Sequence, residues 1–322
     1  GAGLRNDAPA ATTLSGMAIT GNSANDYGGA IFNSGDVTII GSTVSGNTAD
    51  RGGGIFNLCG DAAIAPSTSS GNTARFEGGG IFNRSGDATV TRSTIEGNTA
   101  AEFEGGGIFS YGFATTTIEN STIAGNTAIV RGGGIGHVGL SVTTTIAGST
   151  ITGNSANSGG GIGIWNRAFS AAISIADNSI TDNAASDDGG GIYAYIEGSS
   201  VVTVSGNTIS GNSAGGNGNE LHAKSTTVKV NGYNLIGDDS RCPFQRDGQP
   251  ARPAGHQRRR RANCGGVDPR PAGQQWRTNP HPRVDAGKPR LGRRRFLSDI
   301  RSTRPDRAGR STQRTQRCFR QR

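Results

Sequence analysis

The chain has 322 residues, 54 of them glycine, with a single methionine and only 32% apolar residues. That composition excludes a leucine-rich helical bundle, and no run approaches the ~20 apolar residues that a membrane helix needs. The +8 formal charge averages two unlike halves: residues 1–244 carry 10 Lys+Arg against 19 Asp+Glu, a net of −9, whereas residues 245–322 carry 22 Lys+Arg against 5 Asp, a net of +17.

Taken in chain order, the first half is a repeat. Gly1-Ala2-Gly3-Leu4-Arg5-Asn6 is a degenerate first copy of a Gly-Gly-Gly-Ile motif. The motif then places its Ile at Ile31, Ile55, Ile81, Ile108, Ile135, Ile162 and Ile192, in steps of 24 to 30 residues. Gly218-Asn219-Glu220-Leu221 reads as the ninth and last copy. The glycines lack the every-third spacing of collagen. A second marker, Gly-Asn-Ser/Thr-Ala or a near variant, keeps pace. Its Asn falls at Asn22, Asn47, Asn72, Asn98, Asn126, Asn154, Asn183 and Asn212.

Between the markers lie short runs such as Val37-Thr38-Ile39-Ile40 and Ser93-Thr94-Ile95. They are too short and too rich in Thr, Val and Ile for helices. A unit of this length cannot bury an apolar face alone, but stacked units can, each strand pairing with its copy in the next coil. The expected fold is therefore all-β: a right-handed parallel β-helix of about nine coils over residues 1–244, a rod of roughly 43 Å at ~4.8 Å per coil. Period two turns Ile55, Ile39 and Ile95 into the bore and Phe56 outward, with Asn57 back in or in a turn. The glycine triplet is expected to supply positive φ at a tight corner.

Several columns are candidates for chemistry. Asn22 through Asn212 stack as an amide ladder, a structural role. Asp36, Asp61 and Asp87 each follow Gly in successive coils, near ~5 Å apart, where like charges repel by about 1 kcal/mol in water. Ca²⁺ would relieve that repulsion; the alternative is three solvated turn residues. No other cofactor is indicated. Phe32, Phe56, Phe82 and Phe109 form an aromatic column, expected outward, able to stack on glycans or a host or cell-surface protein; the alternative is a stabilising stack covered by a loop. The residue before the triplet reads Arg51, Glu77, Glu104, Arg131 and Asp188. Cross-coil pairs explain this row at 0.2–1 kcal/mol each by the usual magnitude, although a β-helix lyase also uses clustered acids near a base. His137 and His222 read as ladder or surface residues. Four cysteines, at Cys59, Cys242, Cys264 and Cys318, indicate no disulfide framework.

Gly28-Gly29-Ala30-Ile31 followed by Gly46-Asn47-Thr48-Ala49 resembles the polymorphic outer-membrane protein repeat of bacterial adhesin-like autotransporters. Val44 and Ile95 stand where that family prefers Phe. Gly232-Tyr233-Asn234-Leu235-Ile236-Gly237-Asp238 is similar to the last coil of β-helix proteins with a choice-of-anchor C-terminal region. The resemblance implies an extracellular, outer-membrane or cell-surface location and hosts adhesins, lyases and structural rods alike. No signal peptide is visible, and because Gly1 opens inside a motif an N-terminal part is expected to be missing. Coil ends left open are expected to favour self-association.

From Gln245 the repeat gives way to an Arg-rich tail, residues 245–322, expected to be disordered. Read one nucleotide later, Arg270–Pro282 can encode Gly-Leu-Leu-Ala-Asn-Asn-Gly-Gly-Pro-Thr-x-Thr, which looks like the anchor-region text, so the tail reads as a frameshifted translation. The other reading is a basic tail that binds polyanions without sequence specificity. For the whole chain, the first functional reading is an adhesin-like rod without catalysis, and the second is a polysaccharide lyase or hydrolase.

Overall fold

A computed structural model describes residues 3–139, 142–166, 171–197, 200–224 and 228–237. The 245–322 tail, Asp238, Asp239 and three of the four cysteines lie outside the described residues; Cys59, within them, is disulfide-bonded, against the expectation above.

Each repeat folds into short strands joined by tight turns. In the third repeat these are Ile55–Asn57, Ala62–Ala65, Thr68–Ser70 and Thr73–Glu77. Equivalent strands stack into four sheets. Sheet 1 runs through nine strands from Leu4–Asn6 to Leu221–Lys224, sheet 2 through nine from Ala11–Ser15 to Val228–Asn231, and sheet 3 through nine from Ala18–Thr20 to Leu235–Ile236. Sheet 4 has seven short strands, from Thr48–Arg51 to Ser213–Ala214. Coils are numbered one to nine by their sheet 1 strand. The described residues form an all-β parallel solenoid with no helix, and so none long and apolar enough to cross a membrane.

Pairing is parallel throughout, and like meets like: Ile55 with Ile81, Ile95 with Ile123, Ile118 with Ile146. Slipping one residue would turn every such Ile outward, so the bore enforces the register. The bore itself is built almost wholly from Ile, Val and Ala, with Ile31, Ile81, Ile108, Ile135 and Ile192 fully buried.

The triplet needs glycine for two reasons. Gly52 takes φ +63°, which an L side chain rarely adopts. Gly54 is excluded from bearing a side chain by contact: a Cβ there would lie 2.5 Å from the Gly80 carbonyl oxygen of the next coil. The turns after sheets 2 and 3 also require positive φ, at Gly41 and Gly46 for example. Arg92 occupies one such turn at φ 49° with its side chain exposed. Left-handed backbone costs a non-glycine residue ~1–2 kcal/mol. Arg92→Gly, after the added chain entropy of glycine, is expected to raise stability by about 0.5–1 kcal/mol. A urea denaturation midpoint that stays put or falls refutes that account of the turn.

Candidate functional site

The polar interior is used up by ladders. From Asn22 to Asn212, each Asn Nδ2 donates to the Oδ1 of the next, at 2.9–3.0 Å. The same Oδ1 accepts the backbone N–H of the preceding Asn, as from Asn72 to Asn98 at 3.0 Å. The second Nδ2 hydrogen reaches a strand carbonyl; Asn72 donates to Val44 O at 2.9 Å. Inside the run no amide atom is left for a ligand. At the far end Asn212 Nδ2 donates to the buried Glu220 Oε2 at 2.6 Å. Glu220 stands at the third glycine position of coil nine. From Gly54 to Gly191 an added Cβ at that position would strike the next coil, although Ala30 of coil two carries one; no described coil follows coil nine.

Two further ladders escaped the sequence reading. One links Asn6, Asn33, Asn57 and Asn83 in the bore of sheet 1 at 2.7–2.9 Å. The other lines the turn between sheets 2 and 3 as Ser42, Ser67, Ser93, Ser121 and Ser149, and continues as Asn178, Asn207 and Asn234. Both were signalled by recurring Ile-Phe-Asn and Ser-Thr strings at the coil period.

The phenylalanine column corrects an expectation. Phe32, Phe56, Phe82 and Phe109 do lie off the bore, as a separate cluster, yet each is at most 6% exposed. The glycine corner folds the segment before sheet 1 back over the column, so that a Cβ on Gly105 would lie 2.5 Å from Phe109 Cβ. Tyr27, Leu58 and Val138 pack against the rings, and Phe56 and Phe82 meet edge-on at 5.0 Å. These rings stabilise the rod and present no open face to a sugar.

The aspartate column is corrected too. Asp36, Asp61 and Asp87 occupy the same sheet 2 position in adjacent coils, but no three His, Cys, Asp or Glu side chains among the described residues converge on a metal position. The Asp36 Oδ1 instead accepts the backbone N–H of Asp61 at 3.1 Å.

What remains chemically active is the outside of sheet 1 and the segment that folds over it. There Arg51 and Glu77 pair at 2.8 Å, and Arg131 and Glu104 pair as well. The order along four coils is Arg51, Glu77, Glu104, Arg131, so two half-buried carboxylates sit side by side. Burial pushes the Glu77 carboxyl up, against the pull of Arg51. Burial also pushes Glu104 up; Arg131 opposes that shift and Glu77 adds to it. The Arg131 guanidinium lies 3.7 Å over the Trp165 ring, and Trp165 stacks on Tyr195 at 4.4 Å. Arg51 and Arg75 both lie over Phe76, which meets Phe103 at 5.8 Å. Tyr111, Val138, Trp165, Tyr195 and Lys224 form one outward column beside this row.

The two histidines differ. His222 stacks on Tyr193 with its Nε2 4.0 Å from Asp188. His137 is 1% exposed in the bore, its Nδ1 2.8 Å from Thr144 Oγ1.

Comparison with known families bears on the whole rod. Residues 68–238, just over half of the chain, match the family model described as the right-handed beta helix region. The chain belongs to the right-handed β-helix family. No curated protein and no solved structure matches it. A right-handed β-helix is a scaffold on which adhesion, hydrolysis and elimination all occur, so membership settles architecture and not activity.

The ladder makes a quantitative claim. Asn98→Ala strips the acceptor from two buried donors on Asn72 and is expected to cost about 2–4 kcal/mol in denaturant titration. Asn22→Ala at the edge removes donors but no such acceptor and is expected to cost about 1 kcal/mol. Equal losses at the two sites rule the ladder out as the dominant tie.

Proposed function

We propose that this chain is the rod of a secreted or cell-surface binding protein, adhesin-like and without catalysis, whose contacts centre on coil five. The observation that carries the reading is where exposed large apolar side chains fall. Four of the eight among the described residues, Phe103, Tyr111, Phe113 and Ile129, lie around this one coil, each 44–57% exposed. Exposed large apolar side chains concentrated on one stretch of the rod mark an interaction surface more often than evenly scattered ones do. Exposed ion pairs such as Arg75 with Glu102 flank it and offer partners to hydroxyl groups. An extended glycan lying along the rod suits that mixture, its C–H faces on the rings and its hydroxyls on the charged row.

The test is a glycan-array comparison of the wild type with Tyr111→Ala/Phe113→Ala. Both side chains are exposed, so folding should survive, and bound signal is expected to fall at least ~10-fold, in line with the loss of a recognition hot spot. Matching profiles for the two proteins remove the proposal.

The second reading, a polysaccharide lyase or hydrolase, is favoured by Glu77 and Glu104, two adjacent carboxyls held above their ordinary range. Release of unsaturated or reducing ends by the wild type, lost in Glu104→Gln, would establish it; no release from a polysaccharide panel retires it.

A further inference from the structure

One buried titratable group takes no part in either reading. His137 lies in the bore of coil six, and among the described residues its Nε2 has no hydrogen-bond partner. The parallel register places Ser110 before it and Ile164 after it. On the Ser110 side the filling is polar. Asn83 Nδ2 donates to Thr116 Oγ1 at 3.0 Å, and the Ser110 and Thr116 hydroxyls meet at 2.7 Å. On the Ile164 side the next rung is aliphatic, with Ile164 and Ile173 in the core cluster, and the nearest buried polar pair, Asn166 with Ser200, lies further along the strand. His137 is thus the joint at which its own column of the bore changes from the hydrogen-bonded Ser110–Thr116 rung to the apolar Ile164–Ile173 rung.

We infer that this joint is an acid-sensitive weak point, at which the solenoid opens locally when the imidazole is protonated. A neutral imidazole satisfies the site. Nδ1 can donate to the Thr144 hydroxyl and leave only a lone pair on Nε2. An imidazolium carries a second N–H and a full charge, and neither has a partner there. Among the described residues no charged side chain faces the ring to compensate; the buried Glu220 carboxylate lies three coils away, at the end of the Asn ladder. On the strands around it, Tyr111, Glu119 and Trp165 occupy alternate positions that point out of the bore, and the nearest ion pair in sequence, Arg131 with Glu104, lies on the segment outside sheet 1. Burial alone pushes His137 down to about 4 from 6.5.

The sign follows from linkage. The folded coil binds the proton less well than the opened coil does, so the site's full stability is present above pH 6.5. It is lost as pH falls from there towards 4. Between pH 7 and pH 4.5 the opening equilibrium of coil six is expected to rise about 60-fold. Glu77 and Glu104, whose carboxyls are raised, bind protons better when folded and so gain stability as pH falls. A global melting curve mixes the two trends, and a local readout is needed.

The experiment is hydrogen exchange read by mass spectrometry on the full chain at pH 7 and pH 4.5, corrected for intrinsic exchange rates. Peptides from coil six, residues 132–152, are compared with peptides from coil three in the wild type, in His137→Asn, and in His137→Ser, which copies the Ser110 rung. The expected result is a selective loss of protection at coil six in the acidified wild type and none in the variants. Unchanged protection at coil six in the wild type overturns the inference by itself, even if neither variant folds. An equal loss in wild type and variants overturns it too.

Discussion

Stacking of like on like is the constraint from which this structure follows. An amide buried in a solenoid turn has two donors and one acceptor oxygen to satisfy, and the cheapest partner is the same amide one coil away. The run from Asn22 to Asn212 meets that condition at every step, and the Ser and second Asn ladders repeat it at other corners. A buried polar group without a partner costs about 1–3 kcal/mol. The repeat period therefore cannot drift: an Asn out of phase by one residue would strand several donors at once, and the Ile beside it would leave the bore.

That condition divides the coil into parts that must repeat and parts that are free. Bore residues and corner glycines recur because each touches its own copy. Outward residues touch copies only through side chains, and there the sequence varies, from Phe109 to Gly136 or from Val138 to Trp165. Recognition chemistry can accumulate only on this variable surface, and the exposed rings around coil five and the Arg51–Glu77–Glu104–Arg131 row both belong to it. His137 is the exception inside the bore, a titratable ring where the neighbouring coils have Ser110 and Ile164.

The architecture was legible because it is encoded as a period. Triplet spacing, the alternation of Ile with Thr or Phe, and the Gly-Asn marker each specify a local geometry, and all three agree on parallel coils. The site was less legible. Phe56 was read as outward, and it is, but outward from the bore is not the same as exposed. The segment that covers it arrives through a glycine corner whose direction no pattern of hydrophobicity reports. Likewise Asp36 and Asp61 are adjacent coil by coil, and the Asp36 carboxylate turns to the Asp61 backbone N–H. Adjacency is set by register, and the direction in which a side chain points is set by which donor lies closest.

By itself the sequence determined the coil, its period, the parallel pairing and the residues of the main ladder, because each depends on contacts between identical positions and a repeat displays those in one dimension. Only the tertiary structure decided which outward residues are covered, which carboxylates are pushed up by burial, and that His137 sits where polar filling gives way to aliphatic filling. Those outcomes depend on contacts between different positions of neighbouring coils and corners, and such contacts exist only once the chain has closed around its bore.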